Sequence, residues 1–174
     1  RALRDACAGA YAAIVSAGRS APHTRGMGTT LTACVLERNG TAHIAHIGDS
    51  RLYLLRDGSL QQITRDHTWV QREVDAGRLT PEAAQTHPLS HILTRVLSEG
   101  VEPEVDLLSF AVQPGDCLLL ASDGLYNMVD DGQIATLLAA DRPLPRIATA
   151  LIEAANAAGG ADNVTVVVVK VQEF

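Results

Sequence analysis

The sequence predicts a single α+β domain built on antiparallel β-strands. Two turn dipeptides, Asn39-Gly40 and Asp57-Gly58, each separate two β-rich runs and are strong hairpin signals. Apolar residues at helical spacing near the beginning and in the last third of the chain predict helices. A length of 174 residues with 47% hydrophobic content suits one domain with a sizeable core.

The first predicted element is an amphipathic helix. Leu3, Cys7, Ala10 and Ile14 recur at helical spacing in this segment. A signal peptide is the alternative, and it is disfavoured because Asp5 interrupts the apolar run. A loop rich in Gly, Ser and Pro follows.

Two hairpins are predicted next. Residues 29–37 and 41–48 form the strands of the first hairpin, and residues 51–56 and 59–64 form those of the second. Gly48-Asp49-Ser50 lies at the corner between them. We therefore expect the four strands to form one antiparallel meander.

The next segment is predicted to be helical and then irregular. The pattern is helical from residue 66 to about residue 77, and Thr80-Pro81 is typical of an N-cap followed by proline at the first helical position. The polar segment from there to residue 100 contains His and Pro. We expect it to be an insertion over the sheet.

The last third is predicted to alternate strands and helices. Strands are expected at residues 105–112, at 117–121 and from 164 onward, with helices at 131–140 and 144–158. Because the final two strands are continuously apolar, we expect both to be central and covered on both faces.

Composition excludes several classes of function. A formal net charge of -6 without a basic stripe argues against a nucleic-acid partner. No apolar stretch approaches the roughly 18 residues of a membrane span. Cys7, Cys34 and Cys117 have no paired spacing, so neither a disulfide framework nor a zinc knuckle is predicted. A reducing cytoplasm is the expected compartment.

Several catalytic motifs are absent or incomplete. No Cys has an Arg six positions later, as cysteine phosphatases require, and no GxSxG motif occurs. Gly26-Met27-Gly28 lacks the Lys-Ser/Thr tail of a phosphate-binding loop. His43 and His46 would point to opposite faces of a strand. His87 and His91 have helical zinc-pair spacing, but an intervening proline disturbs the turn, so no zinc site is predicted.

Three aspartates stand at the ends of predicted strands. Asp49 follows the strand HIAHIG, Asp123 follows LLLAS, and Asp162 precedes VTVVVV. Carboxylates that meet at neighbouring strand ends repel one another unless a cation joins them, and Mg²⁺ or Mn²⁺ prefers oxygen ligands. Gly48 and Gly124 suit tight turns beside two of these acids. Each acid alone also fits an ordinary turn or cap.

Six motifs in order resemble those of the metal-dependent serine/threonine protein phosphatases of type 2C. The stretches HTW and HPLSHIL resemble the compact bacterial members of that family most, and the similarity runs from about residue 25 to the end. The six motifs are GMGTT (26–30), GDSR (48–51), DHT (66–68), LTRVLSEG (93–100), LLLASDGL (118–125) and GGADNVTVVVV (159–169).

The resemblance implies a fold and a reaction. The fold is an αββα sandwich of two antiparallel β-sheets flanked by helices, in one domain over residues 1–174 with a flap insertion at 78–100. A metal cluster lies at one end of the sheets, with two core Mn²⁺ or Mg²⁺ ions and a possible third. A water bridging two ions attacks phosphorus in line and hydrolyses phosphoserine or phosphothreonine.

The resemblance also implies roles for individual residues. The matches of Asp123 and Asp162 bind one core ion and are the implied catalytic residues, and those of Asp49 and Asp123 bind the third ion. Gly124 and Asn163 support these ligands without binding the ions, Asn163 by orienting its neighbour. His91 matches a flap histidine that influences substrate handling; a solvent-facing loop histidine is the alternative.

The implied partners are phosphorylated proteins. They are the substrates of serine/threonine kinases or the kinase itself, and the enzyme is expected to be a monomer in the cytoplasm. No nucleic acid is expected to take part, and no membrane span is expected in this chain.

The chain departs from the family at its beginning. Motifs that open the family pattern, an acid after Arg and Asn and then Asp-Gly-Met-Gly-Gly-His, do not occur, and no initiating Met is present. We therefore expect an N-terminally incomplete domain that lacks two strands and has negligible turnover by itself. The alternatives are a non-catalytic binding module of the same fold and a metal-dependent nuclease or phosphodiesterase, which the acidic composition disfavours.

Overall fold

The computed structural model describes residues 2–100 and 102–173, without the side chain of Pro22. The domain limits predicted at residues 1 and 174 lie outside the described residues. The chain divides into two compact units. Unit 1 comprises Arg1–Val35, His43–Asp49 and Arg65–Ser109, and unit 2 comprises Leu36–Ala42, Ser50–Thr64 and Phe110–Phe174.

The elements combine short and long helices with antiparallel strands. The α-helices are α1 (Ala2–Ser20), α2 (Trp69–Asp75), α3 (Pro81–Gln85), α4 (Asp123–Tyr126), α5 (Asp131–Ala139) and α6 (Leu144–Ala157). The strands are β1 (Gly28–Thr29), β2 (Leu31–Leu36), β3 (Thr41–Ile47), β4 (Arg51–Arg56), β5 (Ser59–Gln62), β6 (Leu97–Ser98), β7 (Asp106–Ala111), β8 (Cys117–Ala121) and β9 (Val166–Lys170).

The strands form three sheets among the described residues. Their orders are β1-β6, β2-β3-β7 and β5-β4-β8-β9. Unit 2 contains all of the four-stranded sheet, and most residues of the other two sheets belong to unit 1. None of the described helices combines the length and the hydropathy needed to cross a bilayer.

The core of unit 2 follows from the periodicity of its strands and helices. Alternate residues of β4 and β8 point to the same face of the sheet, and the register pairs Tyr53 with Leu119 and Leu55 with Cys117. Residues four apart on α5 and α6 complete the buried cluster, because they share one face of a helix. The helical members are Ile134, Leu138, Ile147, Leu151 and Ala155.

The predicted turns are confirmed where they depend on local chemistry. Asp57 and Gly58 both have positive φ, at 50° and 77°, as a two-residue hairpin turn requires. The Oγ1 atom of Thr80 accepts a hydrogen bond from the N–H of Ala83, with proline at the start of α3.

The prediction of one continuous meander is wrong. β3 pairs in the sheet β2-β3-β7, whereas β4 pairs with β5 and β8. Gly48, which follows β3, has a φ of 106°, and the apolar strand β8 is a neighbour of β4. The two predicted hairpins therefore form correctly but belong to different sheets.

The helix predicted from residue 66 begins later, at Trp69. His67 and Thr68 remain extended, because the backbone of His67 bonds Gly48 and Thr94, and Thr68 forms a β-bridge with Leu93. The side chain of Thr68 then caps α2.

The prediction that both final strands are central is wrong for β9. In the described part of the chain β9 lies at the edge of its sheet, and Val167 is 51% exposed. β-Branched side chains favour an extended backbone whether or not they are buried, so a run of valines predicts a strand but not its position. β8 is central, as predicted.

Asp116 is a buried residue of unit 2 that forms an ion pair with Arg56. Its carboxylate is 2% exposed and accepts hydrogen bonds from Arg56 Nε at 2.8 Å and Nη2 at 2.6 Å, and from the N–H of Gln113 at 2.8 Å. The hydrogen bonds from Arg56 lower the pKa of Asp116 below its usual range, and this effect exceeds that of burial. The ionised form therefore stabilises the folded state.

We expect Asp116→Asn to lower the free energy of unfolding by about 2 kcal/mol at pH 7, since hydrogen bonds to a charged group are lost. A carboxyl whose pKa is lowered by folding contributes stability above its unfolded pKa of about 3.9, and that contribution disappears as the pH falls through the folded value. Urea denaturation at pH 7 and pH 3 measures both effects. Asp141→Asn, at an exposed position, is the control, and an equal loss at both pH values would contradict the prediction.

Candidate metal centre

Asp123 is placed by a rigid element of unit 2. It is the first residue of α4, which follows β8 after Ser122. β8 pairs with β4 on one side and β9 on the other, and Leu125 of α4 is fully buried. The half-buried Asp123 therefore follows a strand that is hydrogen-bonded on both sides, and the helix that it begins is anchored by Leu125.

Ser122 connects this strand end to the segment that contains Asp162. Its N–H donates to the carbonyl of Thr165 at 3.0 Å, and its Oγ accepts from the N–H of Thr165 at 3.0 Å and donates to the carbonyl of Asn163 at 3.3 Å. The register pairs Ala121, the last residue of β8, with Val166, the first residue of β9, so the end of β8 and the start of β9 lie side by side. These bonds hold residues 162–165 beside Asp123.

Gly124 lets the two backbones approach closely. A Cβ atom at this position would lie 2.2 Å from the carbonyl oxygen of Asn163 and 3.4 Å from that of Asp162. Only a residue without a side chain fits there. The structure thus places the backbone of Gly124 in close contact with that of Asn163.

Asp162 itself is exposed. One of its carboxylate oxygens, Oδ1, accepts the N–H of Asn163 at 2.7 Å. This bond fixes the carboxylate relative to its own backbone. The structure thus places Asp123 and Asp162 at the same end of the neighbouring strands β8 and β9.

Asp49 belongs to unit 1, where it follows Gly48 at the end of β3. The φ of Gly48 is 106°, and a Cβ there would lie 2.3 Å from Cγ2 of Thr30. The N–H of Gly48 donates to Nδ1 of His67 at 3.1 Å. A side chain in place of Gly48, directly before Asp49, would therefore collide with Thr30 and require a positive φ.

The predicted flap, residues 78–100, contains α3 and β6 in unit 1. His91 is exposed in the turn that follows α3. His87, the other histidine of the segment, lies against the ring of Trp69 with the ring centroids 5.1 Å apart. The structure places His91 on the surface.

The donor atoms of Asp123 and Asp162 fit a hard divalent cation. Both are carboxylates, the ligand type that Mg²⁺ and Mn²⁺ prefer. Among the residues that the structure describes, no group of three or more His, Cys, Asp or Glu side chains is arranged to hold a metal ion. Asp123 and Asp162 are thus two carboxylates at one end of the sheet, fewer than such a group contains.

Comparisons with known proteins address the family directly. The family model described as "Protein phosphatase 2C" matches residues 1–164. The chain belongs to the protein phosphatase 2C family. This confirms the resemblance carried by the six motifs, and the antiparallel sheets with helices confirm the predicted fold class.

Relatives in the protein phosphatase 2C family are similar over most of this chain. Serine/threonine protein phosphatase PstP of Mycobacterium tuberculosis is 46% identical over 173 residues, which is 93% of this chain and 32% of that protein. Protein phosphatase PhpP of Streptococcus pneumoniae is 42% identical over 149 residues, 86% of this chain and 60% of that protein. The chain thus spans 32% and 60% of the length of these two relatives.

A solved structure of this protein phosphatase 2C family shows the same fold. The crystal structure of the catalytic domain of PstP in complex with two manganese ions matches with a TM-score of 0.83 and 44% identity, covering 94% of this chain and 67% of that one.

The sequence motifs did not identify two residues of this protein phosphatase 2C chain that organise the site. Ser122 is one, and its position between an apolar strand and an aspartate is the only local signal of its bonds to residues 163 and 165. His67 is the other. It lies within the DHT motif (66–68), but the motif does not indicate its hydrogen bonds to Gly48.

Proposed function

We propose that the protein containing this chain hydrolyses phosphoserine and phosphothreonine in proteins, using Mn²⁺ or Mg²⁺ bound in part by Asp123 and Asp162. The observation that supports this most is the junction of β8 with residues 162–165. There, Ser122 and Gly124 bring two carboxylate-bearing segments of a protein phosphatase 2C chain together.

The chain's own residues supply position and access. Asp123 extends from a strand paired on both sides, so its carboxylate is held in place before any ion arrives. Asp162 is exposed, so a phosphoryl group on a protein surface can reach this edge. When bound, the metal ions supply an activated water and neutralise charge on the phosphoryl oxygens.

Further parts of the proposal depend on the family motifs. Asp49 is proposed as a ligand of a third ion because of its GDSR motif (48–51), and Asn163 as the neighbour that steadies Asp162. The exposed His91 is proposed to affect substrate handling. The substrates are proposed to be phosphoproteins made by serine/threonine kinases, or the kinase itself, with the phosphatase acting as a monomer.

The cytoplasm is the proposed compartment. Cys7, Cys34 and Cys117 are all free thiols, and burial raises the pKa of each. Protonated, unpaired cysteines suit a reducing environment.

We expect the full-length gene product to release phosphate from a phosphothreonine peptide with Mn²⁺ and to lose this activity in EDTA, because the attacking water requires the ions. Phosphate release before chelation, after chelation and after Mn²⁺ is restored checks this. Bis(4-nitrophenyl) phosphate is the control substrate, and faster hydrolysis of this diester would favour a phosphodiesterase. Mn²⁺ binding without turnover would favour the non-catalytic module, and the 174-residue chain alone is expected to be nearly inactive.

A further inference from the structure

His67 contacts both backbone polar groups of Gly48. The N–H of His67 donates to the carbonyl of Gly48 at 2.8 Å, and the N–H of Gly48 donates to Nδ1 of the His67 ring at 3.1 Å. One residue thus holds the peptide groups on either side of Gly48, directly before Asp49. The ring is 7% exposed, so water does not readily replace it as an acceptor.

The hydrogen bonds fix the tautomer of His67. Because the N–H of Gly48 can only donate, Nδ1 carries no proton, and the ring proton lies on Nε2. That Nε2–H faces Oδ2 of Asp106 at 3.2 Å, and Nη1 of Arg95 lies 3.3 Å from the same nitrogen. A proton on Nδ1 would bring two donors together and break the contact with Gly48.

Asp106 is in turn held by Arg95, whose Nη1 donates to Oδ1 at 2.9 Å. Burial acts to raise the pKa of Asp106, but the hydrogen bond from His67 and the positive charge of Arg95 outweigh it, so the pKa is lowered. The carboxylate therefore remains an acceptor at neutral pH. Both Asp106 and Arg95 line a cleft of about 550 Å³ in unit 1, and His67 lies at its inner wall.

His46 closes the other side of the ring. It is fully buried, its centroid lies 4.8 Å from that of His67, and its Nε2 contacts the carbonyl of Arg65 at 3.0 Å. Burial, and then the proximity of His67, lower the pKa of His46. The His67 ring is therefore packed on one face and hydrogen-bonded at both nitrogens.

The corner itself cannot supply this support. A Cβ on Gly48 would collide with Thr30, so no side chain fits at that position. The backbone hydrogen bonds of Gly48 fix the peptide groups that lead into the next residue, Asp49. His67 makes one bond to each peptide group.

We propose that His67 is a positioning residue, which holds the Gly48-Asp49 corner in the conformation that presents the Asp49 carboxylate to a metal ion. This inference rests on the proposed function, because Asp49 is a metal ligand only within that proposal. His67 touches neither ion nor substrate and acts through the backbone of Gly48, oriented by Asp106 and Arg95.

The test compares His67→Leu, which removes the acceptor, with His67→Asn, whose Oδ1 can replace Nδ1, in the full-length protein. Amide exchange of Gly48 in the metal-free protein is measured by NMR, and Mn²⁺ binding by calorimetry. We expect faster Gly48 exchange and a rise of about 10-fold or more in the Kd of the weakest-bound Mn²⁺ for His67→Leu, and recovery toward wild type for His67→Asn. In kinetics, kcat at limiting Mn²⁺ should fall and return at saturating Mn²⁺, with KM for the phosphopeptide unchanged.

His43→Asn is the matched control. His43 lies on β3, the strand that precedes Gly48. It bonds Ser109 Oγ at 2.7 Å, away from the corner, so its loss should leave Gly48 exchange and Mn²⁺ affinity unchanged. If His67→Leu does not fold, Asp106→Ala loosens the same ring from the half-exposed side and should give a smaller change in the same direction.

Unchanged Mn²⁺ affinity in a folded His67→Leu or Asp106→Ala protein would overturn the proposal, whether or not Gly48 exchange increases. Equal defects in His67→Leu and His43→Asn would also overturn it, since they would indicate a general loss of structure. An inactive wild type that binds Mn²⁺ with His67-dependent affinity would support the role of His67 and refute the phosphatase function, so the two failures are distinguishable.

Discussion

Asp123→Asn and Asp162→Asn are each expected to reduce Mn²⁺-dependent hydrolysis of a phosphopeptide by at least about 100-fold in the full-length protein. Metal ions supply several kcal/mol of transition-state stabilisation in such reactions, and each 1.36 kcal/mol corresponds to a tenfold change in rate. An amide oxygen has no charge, so a metal-bound water and the phosphoryl oxygens lose part of that stabilisation. The effect should appear in kcat/KM and in the Kd for Mn²⁺.

Asp141→Asn is the control for both variants. Asp141 is exposed between α5 and α6, so the same change of one carboxylate to an amide should leave turnover unchanged. Wild-type rates in both Asp123→Asn and Asp162→Asn would refute the assignment of these residues as metal ligands. A loss in only one of them would limit the site to that residue.

Gly124→Ala is expected to be the most damaging single-methyl substitution in unit 2. The new Cβ would lie 2.2 Å from the carbonyl oxygen and 2.9 Å from the carbonyl carbon of Asn163, and backbone atoms cannot move aside as a flexible side chain can. Overpacking of this kind costs about 1 to 3 kcal/mol, and we expect the upper end of that range. Displacement of residues 162–163 should also weaken Mn²⁺ binding by about 10-fold.

Denaturant unfolding and Mn²⁺ titration measure the two effects of Gly124→Ala. Gly9→Ala is the matched control, because Gly9 lies within α1 and a Cβ there would meet no atom within 4 Å. Alanine favours a helix over glycine by about 1 kcal/mol, so this control should be neutral or slightly stabilising. Equal stability of the two variants would show that the contact between Gly124 and Asn163 has no energetic importance.

Features that depend on a few consecutive residues could be predicted from the sequence. Asn39-Gly40, Asp57-Gly58 and Thr80-Pro81 each determine their own turn or cap, and the structure has them where they were expected. β8 was predicted with the correct bounds because its apolar run is short and ends at a polar residue.

Features that depend on distant partners could not be predicted in the same way. The backbone of His67 bonds Gly48 and Thr94, and these bonds delay the start of α2 to Trp69 although the local pattern is helical from residue 66. The separation of β3 and β4 into different sheets likewise reflects their later neighbours β7 and β8. Periodicity within one segment contains no information about which strand becomes its neighbour.

The candidate site shows both cases. The motifs indicated Asp49, Asp123 and Asp162 because the family resemblance identifies individual positions. Ser122 and the two bonds between His67 and Gly48 became visible only in three dimensions, since each joins segments at least 19 residues apart.

The central position of β8 has a consequence for the thermodynamics of ion capture. Folding restricts the backbone at Asp123, because β8 is hydrogen-bonded to a strand on each side and Leu125 is buried. This restriction is in place before any cation binds. The conformational entropy of that backbone is therefore lost during folding and not during association. Under the proposed function, removing the hydration shell of the incoming ion is then the principal cost of complex formation at this strand end.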